Sequence, residues 1–229
     1  MNAMAPPPKP FTWSYSQLKN FETCERRNQQ IDRLKAFKED SDQLRWGNAV
    51  HDAMAKAIGK GHPLPNTMKG YQPYVDLINR RKDRFNVDVE RKLAFTRDFQ
   101  PCDYFHSKVW FRGVVDVSLL SKQLGAMFDW KTGKVVDDNV QLGLFATMLF
   151  CHYPELQRLE TAFVWLPADA TTKETWTQAD MPRLWADLMP RVERMEAAYK
   201  TNKYEPNPSG LCKRYCPVDT CEYHGIGSR

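Results

Sequence analysis

The chain has 229 residues, 42% hydrophobic and 27% charged, and its 33 Lys and Arg against 28 Asp and Glu give a formal charge of +5. That length suits one domain with a sizeable core better than two. No apolar run reaches the roughly 20 residues that a bilayer requires, and no signal-peptide succession opens the chain, so no membrane association is expected. The basic balance fits a polyanionic partner without requiring one. Six cysteines in a chain that reads as intracellular point to metal or redox chemistry more than to a disulfide framework.

The opening MNAMAPPPKP is Pro-rich, and residues 1–12 are expected to form a disordered tail ahead of a single domain over 13–229. Apolar residues then recur at helical spacing: Leu18, Phe21 and Cys24, later Ile31, Leu34 and Phe37. With Ser14 or Ser16 as the N-cap, this predicts one helix or two short ones. A second helix is predicted over 42–60, with Leu44, Val50, Ala53, Ala57 and Ile58 inward and a stop at Gly59 to Gly61. His51 sits near its inward face, where an imidazole is either a hydrogen-bonded core group or a metal ligand. Gly47 leaves room on that face for another backbone. Residues 73–85 predict a third helix with a basic outer face.

The run NVDVERKLAFTRDF, starting at Asn86, alternates as a strand, and Glu90 within it is either an ion-pair partner of Arg91 or Lys92 or a third acidic group near a metal. Next, VWFRGVVDVSLL and AMFDW flank the turn cluster SKQLG and predict a hairpin over 109–130. Asp116 and Asp129 interrupt its apolar runs, and Lys131 shares a strand face with Asp129. A carboxylate in a buried strand is costly unless it is paired or binds a metal. Two aspartates and a lysine together therefore have a chemical reading, in which the carboxylates hold Mg²⁺ or Mn²⁺ and the lysine orients or polarises a water. The bland alternative is a turn aspartate and a surface lysine.

A helix is predicted over 137–154, with Gln141 in its first turn, followed by a strand over LETAFVWLP and a final helix over 181–204 that is expected to bend at Pro190. The sum is an α/β domain, a central mixed β-sheet flanked by helices on both faces. Near the end, PNPSGLCKRYCPVDTCEYHG sets Cys212, Cys216 and Cys221 within ten positions in loop composition, a metal-ligand signal. Zn²⁺ held by these three and His224 is one reading and a metal-free, reduced tail another. Cys102 and Cys151 read as ordinary core or surface residues.

Taken in order, GNAVH at 47–51, VE at 89–90, GVVD at 113–116, DWKTGK at 129–134 and QLGLF at 141–145 resemble the PD-(D/E)xK nucleases, and within them the RecB-like exonuclease branch. The resemblance implies a restriction-endonuclease-like core. Position by position, it implies metal ligation by His51, Asp116, Asp129 and the Trp130 backbone carbonyl, a catalytic role for Lys131, a signature glutamine at Gln141, and an acidic Glu90 peripheral to the metals. Phe145 departs from the branch, which has a tyrosine there. In iron–sulfur members of the branch one early cysteine joins three late ones to hold a [4Fe-4S] cluster, and Cys24 stands in the early place.

What the resemblance implies for function is a Mg²⁺- or Mn²⁺-dependent DNA exonuclease acting on single strands or duplex ends in recombination, repair or replication. It would be cytoplasmic, in a bacterial or phage-infected cell, acting alone, as a homo-oligomer or with a recombination or replication protein. A structure-specific endonuclease and a non-catalytic DNA-binding subunit are the rivals. Trp13, Tyr15 and Tyr104 are candidates to stack on the bases of a single strand.

Overall fold

A computed structural model of the chain describes residues 10–136 and 138–226. The expected tail needs a correction at its end. Residues 1–9 lie outside the described set, as do Asp137 and residues 227–229. Phe11, however, packs edge-on against Tyr199 with ring centroids 5.3 Å apart, and Thr12 Oγ1 donates to the Val109 carbonyl at 2.8 Å. These partners order the chain before residue 13.

Helix α1 (Tyr15–Thr23) is capped by Ser14, whose N–H donates to Gln17 Oε1 at 3.0 Å. It breaks at Cys24, which is extended (φ −166°, ψ 117°), and α2 (Glu25–Asn28) restarts at once and runs into a π-helical turn at Gln29–Arg33. The break takes Cys24 off the buried stripe of Leu18 and Phe21. Helix α3 (Asp42–Lys60) starts where Ser41 Oγ accepts the Leu44 N–H at 3.1 Å and stops at Gly61, whose φ of 69° is the left-handed conformation that glycine tolerates. Helix α4 (Gln72–Asn79) is shorter than predicted, because residues 80–84 form turns rather than continuing it.

The sheet contains β1 (Asn86–Phe95), β2 (Pro101–Cys102), β3 (Phe111–Leu120), β4 (Leu124–Lys131), β5 (Arg158–Trp165) and β6 (Ala170–Trp176), in the order β2-β1-β3-β4-β5-β6. Only β4 and β5 are parallel, and α5 (Asn139–His152) supplies the crossover that parallel neighbours need. This is the mixed α/β architecture that the sequence implies, with β6 as an additional edge strand. Helix α6 (Met181–Thr201) continues through Pro190 and ends at Asn202, which has φ 54°.

Two apolar layers sandwich the sheet. On one face α1, α5 and α6 cover Phe95, Phe111, Met127 and Phe163. On the other, α3 and α4 cover Val117, Leu119, Trp130 and Val164. Helix α5 is buried at every position from Leu142 to Phe150, so it has no solvent face and reads as apolar all round.

Two irregularities create the site. The β3–β4 pairing ends at Val117 and Phe128, after which β3 stays with β1 while β4 stays with β5. Asp116 and Asp129 are therefore the first residues past the fork, one on each prong. In addition, the alternation of side-chain faces slips beside Asp116. Val115 belongs to the α5 layer and Val117, two residues on, to the α3 layer; Leu93 and Val89 divide likewise on β1. The register is unchanged on either side, and Glu90 opposite Asp116 takes the slip with φ 51°. A non-glycine residue in that region is strained, and such strain concentrates at functional sites.

Candidate active site

A ladder that ends leaves backbone groups without partners, and the fork answers with a side chain. The Trp130 N–H, which has lost β3, donates to Asp116 Oδ2 at 2.8 Å. In an extended strand the N–H and C=O of one residue share an edge, so the Trp130 carbonyl faces the fork as well. The Trp130 side chain lies in the α3 layer, stacked on Phe128.

Helix α3 brings His51 to the same place, with Nδ1 3.1 Å from Asp116 Oδ2. Ligand atoms of His51, Glu90 and Asp116 all lie within 4.8 Å of one another, the spacing of groups that share one cation. They open on a cleft of about 560 Å³. Glu90, implied to be peripheral, is thus inside the cluster. Gly47 makes the helix's approach possible: a Cβ there would sit 3.2 Å from Thr132 Oγ1, so the close neighbour is a side chain and not the backbone expected from the sequence.

Asp129 lies across the fork and is buried, with 5% of its surface exposed. Its Oδ2 is 2.6 Å from Lys131 Nζ, a close ion pair. Lys131 Nζ also donates to Gln141 Oε1 at 3.0 Å, and it sits 4.5 Å from the centroid of the Phe163 ring. The ammonium is thereby held by an acid, an amide and an aromatic face. Phe145, where the resemblance implies a tyrosine, is buried in the α5 layer.

Electrostatics give the cluster its direction. Burial, then the charge of Asp116, push the Asp129 carboxyl up to about 6 against the opposing pull of Lys131 and His51. Burial and the charge of Asp116 also raise Glu90. For His51, burial resists protonation, but the hydrogen bond and charge of Asp116 outweigh it and raise the pKa. Acidic groups this crowded repel one another unless a cation lies between them. The site fits a divalent ion by the chemistry of its donors: two carboxylates and one imidazole within 4.8 Å of one another, which suit Mg²⁺ or Mn²⁺.

The sequence reading missed Asn48, Asp52 and Ala55 on α3, which line the cleft with Gly47 and His51. Asn48 and Ala55 lie three and four residues from His51, and Asp52 lies four from Asn48; that helical spacing is the signal that would have found them. Of the three aromatic candidates for stacking, Trp13 is fully buried, and the Tyr15 hydroxyl donates to Asp138 at the head of α5. Tyr104 alone remains open.

Four of the cysteines, drawn from opposite ends of the sequence, meet at one place. Cys24, Cys212, Cys216 and Cys221 line one cavity between the α1–α2 break and the C-terminal loops. Cys24 Sγ accepts the Asn207 N–H at 3.3 Å and Cys212 Sγ that of Ser209 at 3.5 Å, while a backbone bond from Val218 reaches Cys216. The same segments are joined without sulfur: Arg26 N–H donates to the Glu205 carbonyl at 3.3 Å and Glu205 N–H to Glu25 Oε2 at 3.2 Å. Cys102 is half-buried, and burial raises the Cys151 thiol to about 12.

A carboxylate fork with a pinned lysine, set in a mixed sheet between helical layers, is the frame of a phosphodiester hydrolase. The chain belongs to the PD-(D/E)XK nuclease superfamily, whose family model matches residues 12–221. A solved protein of Eubacterium rectale, named as an inferred exonuclease, shares the fold with a TM-score of 0.58 at 13% identity, over 95% of this chain and 90% of its own. The protein SSO0001 aligns at 14% identity over 96% of this chain and 91% of its own, with a TM-score of 0.41. No curated protein matches the chain. Among the described residues no helix is long and apolar enough to cross a membrane.

Proposed function

We propose that the chain is a Mg²⁺- or Mn²⁺-dependent exonuclease of the RecB-like kind, hydrolysing phosphodiester bonds of DNA at single-stranded or duplex ends. The observation that carries this reading is the fork itself, which sets His51, Glu90 and Asp116 within 4.8 Å of one another and faces them with Asp129 and Lys131. The E. rectale protein's name supports the exonuclease part.

A divalent ion bound there neutralises charge on the phosphate and lowers the pKa of a coordinated water. His51, Asp116, Asp129, Glu90 and the Trp130 carbonyl are the groups to hold it. Asp116 is fixed by the Trp130 amide, so its carboxylate is aimed before any ligand arrives. Lys131 keeps its ammonium beside Asp129, where it orients the attacking water and offsets charge on the phosphate. Gln141 holds Lys131 from the other side. Phe163 closes the floor below the amine and keeps water from that flank.

At the other site, the four thiols suit a [4Fe-4S] cluster that fastens the C-terminal loops to the α1–α2 break, with backbone N–H groups already directed at three sulfurs. Zn²⁺ held by Cys212, Cys216, Cys221 and His224 is the alternative, and the metal content of the purified protein decides between the two.

The test is release of label from end-labelled linear DNA and from a circular single strand, with Mg²⁺ or Mn²⁺. Metal-dependent loss of the linear substrate alone is expected. Cutting of the circle would replace the exonuclease with an endonuclease on the same fold, and inert wild-type protein would leave a DNA-binding subunit.

A further inference from the structure

Beyond the metal cleft, one face of β1 and β3 continues outward with a composition that the chemistry at the fork does not use. Val114 lines the cleft together with Glu90 and Asp116. Arg112, two residues along β3, shares its face. Lys92 lies directly opposite Val114 across the β1–β3 ladder, and directly opposed residues share a face too. Above these cations, the loop between β2 and β3 lays down two rings. The Arg112 guanidinium is 5.1 Å from the Tyr104 ring centroid, and Lys92 Nζ is 5.8 Å from Tyr104 and 5.9 Å from Phe105. Tyr104 and Phe105 meet edge to face at 5.0 Å.

Phe105 has 78% of its surface in solvent, while most other rings of the chain are buried in the two layers or packed against them. A lone exposed phenylalanine means little. A pair of rings bracketed by two cations, on the strand face that leads to a metal site, has the composition of a surface that takes bases on the rings and phosphates on the cations. Arg112 and Asp116 are four residue steps apart on β3, roughly 13 Å, so one short strand can lie on both.

We propose that Lys92, Tyr104, Phe105 and Arg112 form a platform for single-stranded DNA that feeds the fork. Stacking on two rings requires unpaired bases, so the platform selects a single strand over a duplex. The proposal rests on the nuclease reading for what happens at the fork, but binding to the platform is measured without cleavage.

The experiment is fluorescence anisotropy with the full chain in Ca²⁺, using a fluorescein-labelled oligothymidylate of about 15 nucleotides and a duplex of equal length. Phe105→Ala is expected to weaken oligothymidylate binding about ten-fold, with duplex binding changed by less than about two-fold and melting temperature unchanged. Lys92→Gln combined with Arg112→Gln should flatten the salt dependence of single-strand binding by about 0.7 for each charge removed. Unchanged single-strand affinity in Phe105→Ala, or an equal loss on duplex, would overturn the platform. Cleavage assays on the same preparations keep the two readings apart. Active wild-type enzyme with unchanged binding in Phe105→Ala sinks the platform alone, whereas inert wild-type protein with selective loss of binding sinks the nuclease reading alone.

Discussion

The fork and the cysteine site differ in what holds their residues in place. At the fork, each acid sits on a strand whose position is set by the ladder beside it: β1 fixes Asp116 and β5 fixes Asp129. The layers above and below are apolar and buried. At the cysteine site, all four residues are half-exposed and lie on loops, a helix break and a short 3-10 turn. The first geometry is imposed by the sheet whether or not an ion is bound, while the second has only a few backbone hydrogen bonds to maintain it. Losing the ligand should therefore cost chemistry at one site and stability at the other.

The largest effect that could break this contrast is at Asp129. Replacing it with Asn keeps the shape and removes a buried charge that burial itself disfavours. Asp129→Asn should lower cleavage at least a hundred-fold and leave the melting temperature unchanged or higher. Lys131→Ala should lose activity comparably while still binding DNA. A several-degree fall in melting temperature for Asp129→Asn would mean that the fork is not independent of its charges.

The cysteines should show the reverse. Cys212→Ser or Cys24→Ser is expected to destabilise the protein by about 2–5 kcal/mol, on the scale of losing a structural cross-link or metal. Denaturant unfolding measures the loss, and absorbance near 400 nm, the order typical of thiolate-bound iron, follows the cluster. Folded mutant at low temperature should retain much of its cleavage. Activity abolished with stability intact would place the cysteines in the chemistry and end the contrast.

A pH titration sharpens the fork side. The Asp129 carboxyl, with its pKa raised to about 6, keeps its proton below that pH, and a metal must displace it. Apparent Mg²⁺ affinity should fall as the pH drops, first as His51, whose pKa is raised, takes up a proton and then, by up to about ten-fold more per unit, as Asp129 does below about 6. The sign follows from an acid whose folded pKa exceeds its unfolded value. Ionised Asp129 costs the metal-free fold stability as pH rises towards 6, and bound cation recovers it. Stabilisation by Mg²⁺, read as a rise in melting temperature, should thus be larger at pH 8 than at pH 5.

The two sites were also unequally legible in the sequence. Helix α3 was visible to the residue because its apolar period is regular and the glycines ending at Gly61 stop it, a local signal. Asp116, Asp129 and Lys131 stood out as charges in apolar runs. Strand β6 was missed because its exposed positions, Thr171, Lys173 and Thr175, are polar and it contributes an edge rather than a core. The slip at Glu90 had no local sign at all. Val87, Val89, Leu93 and Phe95 all fall on odd positions and read as one face, yet the first pair belongs to the α3 layer and the second to the α5 layer. Only the packing of two opposed layers makes that slip worthwhile. Similarly, nothing near Cys24 distinguishes it from Cys102 or Cys151 until the chain ends meet.

Glu90 carries the smallest expected effect and the sharpest test of what the slip is for. Its left-handed backbone costs an L-residue about 1–2 kcal/mol that a glycine would not bear. Because the Glu90 side chain lies at the mouth of the cleft and takes little part in the apolar core, Glu90→Gly should stabilise the metal-free protein by about 1 kcal/mol, less whatever glycine loses to chain entropy. The carboxylate also leaves the cluster it forms with His51 and Asp116, so Mg²⁺ should bind several-fold more weakly. A more stable protein with a weaker metal site would mean that the strain is tolerated for the sake of a ligand. Glu90→Ala keeps the strain and loses the carboxylate, so it should weaken metal binding equally without the gain in stability. If the glycine variant instead binds Mg²⁺ like the wild type, the slip serves only to switch β1 and β3 between the two apolar layers, and the fork's cation rests on His51, Asp116 and Asp129.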